Sequence, residues 1–125
     1  MADITTIANQ FTTFYYQTFD ANRQGLAQLY RDVSMLTFEG QPFRGAADIG
    51  EKLGSLPFQK VQHRVSTFDA QPADPSGSNI LVFVTGQLLI DDETNPQMFS
   101  QTFHLVPENG SYYVFNDIFR LNYGA

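Results

Sequence analysis

The chain has no cysteine and no tryptophan in its 125 residues, and it carries few basic side chains. Without cysteine there is no disulfide, no thiolate nucleophile and no cysteine-built zinc site. Seven Lys and Arg stand against 13 Asp and Glu, a formal charge of −6. That balance argues against nucleic acid as a partner, because a phosphate backbone calls for a basic footprint. It suits a partner with a basic surface, and it also serves solubility. No apolar run approaches the ~20 residues of a membrane-spanning helix, so no membrane insertion is expected. The opening MADITTIANQ lacks a basic region followed by an apolar one, so no secretory signal is expected either. Nucleophile elbows, phosphate-binding loops and dinucleotide fingerprints are missing. Only 16% of residues are charged, below the usual quarter, which leaves more neutral surface than a solitary monomer normally shows.

What is present is apolar and aromatic. Hydrophobic residues make up 42% of the chain, with 12 Phe and six Tyr, enough for one domain over residues 1–125. Ile4, Ile7, Ala8, Phe11, Phe14, Tyr15 and Phe19 follow helical spacing, which predicts a helix over 4–20 with Asp3 as N-cap. A second short helix is expected over 23–30 and a third over 45–53, with Pro57 as the stop beyond it. A strand over 33–38, a turn at Glu39-Gly40-Gln41-Pro42 and a brief return through Phe43 and Arg44 lie between them.

From Val61 onward the pattern is all strand: 61–69, 80–90, 98–106 and 111–121. The separators are rich in Pro, Asp, Ser, Gly and Asn, and the last holds an Asn109-Gly110 hairpin signal. Helices first and an antiparallel meander after predict an α+β fold. Its helices pack in the concave side of a strongly bent sheet, with Gly86 as a candidate bend. Strict alternation along the final strand puts Tyr113, Phe115, Asp117, Phe119 and Leu121 on one face. Tyr112, Val114, Asn116, Ile118 and Arg120 fall on the other. Both faces are substantially apolar, so the helices cover one and another molecule the other.

Several residues are candidates for chemistry. Asp91-Asp92-Glu93 ends an apolar strand. It reads as a solvated turn or as an acidic contact patch for Lys or Arg of a partner, and it lacks calcium-loop spacing. Glu39 follows a buried-looking strand. His63 and His104 are isolated, without the spacing that would complete a metal site. Asp117 beside Tyr113 would suit an acid–base pair if the fold encloses a pocket. Phe38, Leu56, Phe58 and Phe119 come from elements that converge at one end of the sheet. An apolar hollow there, with Glu39, Asp91 and Glu93 near its mouth, would accept an aromatic anchor flanked by basic side chains.

The segments FYYQTFD (14–20), MLTFEG (35–40), EKLGSLPFQKVQHRV (51–65), GQLLIDDE (86–93), FSQTFHLVP (99–107) and YYVFNDIFRLNYGA (112–125) resemble the nuclear transport factor 2 family, its fungal members above all. The resemblance spans nearly the whole chain. It implies a cone-like α+β fold and a homodimer without cofactor that imports the GDP-bound small GTPase Ran. It also implies binding of FxFG-repeat nucleoporins, and residence in cytoplasm and nucleus with concentration at the nuclear pore. By position, Glu39, Asp91 and Glu93 match acidic residues that pair with lysines of Ran. Phe38 falls where many members have Trp at the wall of the Ran cavity. Leu56, Val61 and Phe119 line or support that cavity, with His63 near its rim. Phe83 and Ile118 fall on the face that pairs subunits. Ile4 stands in the nucleoporin site, where members often carry an aromatic ring. The same fold also hosts small dehydratases and isomerases, so an acid–base enzyme using His63 or Asp117 is the alternative.

Overall fold

The apolar spacing of the first twenty residues closes into helix α1 (Ile4–Ala21) in the computed structural model, which describes residues 3–57, 59–91 and 94–122. Ala8, Thr12, Tyr15, Tyr16 and Phe19 form its buried face. Asp3 occupies the N-cap position, but its side chain makes no capping bond. A 3-10 helix follows over Arg23–Leu29. Tyr30 does not end that helix, as expected, but opens strand β1 (Tyr30–Phe38). The remaining elements are β2 (Gln41–Arg44), α2 (Ala46–Gly54), β3 (Val61–Pro72), β4 (Ile80–Ile90), β5 (Gln97–Glu108) and β6 (Ser111–Asn122).

The strands form one mixed six-stranded sheet in the order β2-β1-β6-β5-β4-β3. Every pairing is antiparallel except β1 with β6, which is parallel. The meander β3 to β6 follows the expected order. The docking of β1 beside β6 brings the N-terminal strand back to the chain's far end. The sheet is open and bent like a cone, and the helices fill its concave side.

Two bulges bend it. On β3, Ser66 is the extra residue: Val65 pairs with Gly86 and Thr67 with Thr85. A Cβ at Gly86 would lie 2.3 Å from the Arg64 carbonyl oxygen, so only glycine lets the strands close there. On β6, Phe115 is the extra residue: His104 pairs with Asn116 and Leu105 with Val114. This second bulge corrects the strict alternation predicted for the strand. It puts Val114 with Asp117 and Phe119 in the core, while Phe115 turns outward against the His104 ring, 5.5 Å between centroids.

The core is aromatic. Tyr15, Phe99 and Phe103 are fully buried, and Tyr15 meets Phe103 edge-on at 4.8 Å. Each such ring contributes on the order of 2–3 kcal/mol on leaving water. This packing fixes the end of the sheet where the candidate residues gather.

Candidate functional site

Strand polarity places the ends of β1, β4 and β6 and the starts of β3 and β5 at one end of the sheet. β1 and β6 run together there, so Phe38 pairs with Phe119. β5 begins there opposite β6, with Leu121 against Phe99, and β4 ends there opposite the start of β3, with Ile90 against Val61. Phe38, Glu39, Val61, Asp91 and Phe119 therefore share this end, and Leu56 lies in the segment leading into β3. Phe58, Asp92 and Glu93 lie outside the described residues.

The floor is a stack of rings. Phe38 lies on Phe119, centroids 4.9 Å apart and planes 8° from parallel, and Phe119 lies on Phe99 at 5.6 Å. Phe119, Leu56 and Val61 are buried and Phe38 is half-buried, so Phe38 is the ring nearest solvent. His63 belongs to the layer behind. Its ring meets Phe99 edge-on at 5.4 Å and stacks on Tyr16 at 4.6 Å. Its side chain is 1% exposed, with Nδ1 2.7 Å from the Asp20 carboxylate and its backbone N–H donating to Asp20 at 3.0 Å. His63 thus backs the floor and ties β3 to the end of α1.

The two described carboxylates of the rim are held by backbone. Glu39 has φ 51° and Gly40 φ 85°, the left-handed pair of a tight hairpin turn. A left-handed Glu is uncommon, and neighbouring bonds hold this one. Its N–H donates to the Phe119 carbonyl at 3.1 Å, and its Oε1 accepts from the Leu121 N–H. Asp91, φ 52°, accepts the Gln59 and Lys60 N–H groups on Oδ1 at 2.9 and 2.8 Å. An ionised carboxylate accepts through both oxygens, and among the described residues these bonds use one oxygen of each. Asp91 is exposed and Glu39 half-buried.

Sequence reasoning missed two features near this end. The Lys52 ammonium of α2 stands 5.3 Å from the Phe38 centroid and 5.5 Å from that of Phe43. Nothing in the helical pattern marks it, because its partners are distant in sequence. The second feature is the partnership of Asp117. Tyr113 is not its neighbour but lies under Arg31, which bridges to Glu108 at 2.8 Å. Asp117 instead accepts from Tyr30 Oη at 2.6 Å, Gln101 Nε2 at 2.8 Å and Tyr15 Oη at 3.4 Å. Gln101 accepts in turn from Tyr16 Oη at 2.8 Å. Burial pushes the Asp117 carboxyl up to about 6, against the three hydrogen bonds that favour its charged form. Burial also pushes the Tyr15 and Tyr30 hydroxyls well up, and the nearby Asp117 charge adds to it.

Two further surfaces hold the remaining candidates. Phe83 and Ile118 flank Thr102 on one rung of the outward sheet face and are 43% and 50% exposed. Ile4 lines an apolar groove of about 800 Å³ with Ile7, Phe11, Leu29, Pro107 and Tyr112. Among the described residues no cluster of three metal-ligating side chains occurs, and no helix is long and apolar enough to cross a membrane.

The nuclear transport factor 2 (NTF2) domain matches residues 7–121. Nuclear transport factor 2 of Eremothecium gossypii is 66% identical over 123 residues, 98% of each chain. The Saccharomyces cerevisiae protein of that name is 64% identical over the same length, again 98% of each chain. Among solved structures, nuclear transport factor 2 of Cryptosporidium parvum superposes with a TM-score of 0.89 at 48% identity, covering 95% of this chain and 94% of that one.

Proposed function

The chain belongs to the nuclear transport factor 2 family, and from that premise we propose that it is a non-enzymatic import carrier for Ran-GDP. The observation that carries the reading is the placement of Glu39, Asp91 and the Phe38–Phe119 stack at the same end of the sheet. A guest ring enters against the apolar floor while basic side chains beside it meet the carboxylates. Leu56 and Val61 supply the wall, with His63 backing the ring stack, and the family resemblance adds Glu93, outside the described residues, to the acidic contacts. Selectivity for GDP follows if the guest loop takes the matching shape only without the γ-phosphate.

The carrier works as a homodimer joined through the outward sheet face, where Phe83 and Ile118 supply exposed apolar area. The Ile4 groove takes FxFG-repeat nucleoporins with an aliphatic contact in place of an aromatic one, so each contact is weak and short-lived. The protein then resides in cytoplasm and nucleus, concentrated at the pore. An acid–base role for Asp117 is disfavoured because it is buried and spends its hydrogen bonds on Tyr30, Gln101 and Tyr15.

The test is a pull-down with GDP- and GTP-loaded Ran side by side, on the wild type and Glu39→Lys. Capture of the GDP form alone, lost in Glu39→Lys while the dimer persists, supports the reading. Equal capture of both forms, or an unaffected variant, overturns it.

A further inference from the structure

Phe38 has two close neighbours. Phe119 stacks nearly parallel on it, and the Lys52 ammonium stands over the same ring, 5.3 Å from its centroid. The same ammonium is 5.5 Å from the Phe43 ring. Acidic partners are close along the helix: Asp48 lies one turn earlier and Glu51 adjoins. Yet among the described residues Lys52 forms no ion pair. A solvated ammonium with carboxylates in reach usually prefers them to phenyl rings. Here it rests on the outermost ring of the docking floor. Lys52 also lines a hollow of about 510 Å³ with Asp48, Glu51 and Ser55 among others, so its ammonium can turn toward those carboxylates.

We infer that Lys52 is a specificity-determining cap on the docking floor, which an incoming aromatic side chain must lift from Phe38. The cap rests on the carrier reading of this site. Two effects act in the same direction. The ammonium occupies the ring face that a guest ring would use, and its positive charge opposes a basic guest. A partner that does not bring an aromatic ring to displace it meets only a cation. When the ring arrives, the ammonium moves toward Asp48 and Glu51, and Phe38 changes one aromatic-face contact for another. Any modification that neutralises Nζ removes the cap.

The experiment compares wild type, Lys52→Met, Lys52→Arg and Phe38→Ala for binding to purified Ran-GDP by calorimetry. Proton NMR of the Lys52 ε-methylene group runs alongside. Lys52→Met keeps the aliphatic stem and loses the charge, so its affinity is expected to rise roughly two- to fivefold. Lys52→Arg keeps a cation over both rings and is expected to match wild type. In the free protein the ε-methylene protons are expected to be shifted upfield by the two rings, and to lose that shift in the complex. Unchanged or weaker binding by Lys52→Met overturns the cap, as does an upfield shift that survives in the complex. Unimpaired binding by Phe38→Ala overturns the docking site itself and the cap with it. Impaired Phe38→Ala beside an unchanged Lys52→Met removes the cap alone.

Discussion

Replacing Asp117 by Asn should flatten the dependence of stability on pH. The folded carboxyl is raised to about 6 from its ordinary 3.8. Between these values the native state holds more protons than the unfolded chain, so stability falls as pH rises. The group's stabilising contribution is complete below 3.8 and gone above about 6, a swing of about 3 kcal/mol. About 1.4 kcal/mol of that is lost between pH 5 and 7.5.

The amide cannot ionise, and the network can accommodate it by inverting. The new side chain would accept from Tyr30 and donate to Gln101, and a turned Gln101 amide would donate to the Tyr16 hydroxyl. Urea unfolding at pH 5 and 7.5, at one protein concentration because the proposed dimer's stability would depend on it, measures the effect. The variant's stability relative to wild type should rise by about 1.4 kcal/mol between the two conditions. An identical difference at both pH values would refute the reasoning, because it would mean Asp117 titrates alike in folded and unfolded chains.

Other outcomes rest on the same geometry. In the proposed dimer Ile118→Asp buries an unpaired charge and should leave a monomer by sedimentation, whereas a persisting dimer moves the interface elsewhere. Gly86→Ala forces a methyl group toward the Arg64 carbonyl and should lower stability by on the order of 2–4 kcal/mol in urea titration; a change under about 0.5 kcal/mol would show that the bulge yields. Asp91→Asn keeps both caps on Gln59 and Lys60 and tolerates the left-handed backbone. Its stability should stay within about 0.5 kcal/mol, while affinity for Ran-GDP drops by on the order of 1–3 kcal/mol in calorimetry. Glu39→Lys should weaken that affinity by on the order of 2–5 kcal/mol where the pair is desolvated, with the fold intact by circular dichroism.

Elements whose order is local were legible in the sequence. The 3.6-residue spacing of α1 and the Asn109-Gly110 turn each depend on neighbours within a few positions, and both stand where the pattern put them. So does the glycine bend at Gly86, where the ring of Phe99 and the Arg64 carbonyl leave no space for a side chain. The faces of β6 were not legible. One extra residue at Phe115 reverses the alternation, and no local signal distinguishes a bulge from a regular strand. The parallel docking of β1 on β6 was hidden for the same reason, since it joins segments some 80 residues apart. Gln101 and Tyr30 as partners of Asp117, and Lys52 over Phe38, are products of that long-range closure. The convergence of Glu39 and Asp91 at one end of the sheet rests on it as well.

The parallel pairing also governs how the chain can assemble. β1 and β2 join the sheet only through β6, so this pair of strands has no edge to dock on until β6 has been synthesised. Until then Tyr15 and Tyr30 lack the carboxylate that orders them, and the nascent chain holds an unfinished aromatic face. Such non-local closure slows folding and lengthens the time for which that face stays open to aggregation.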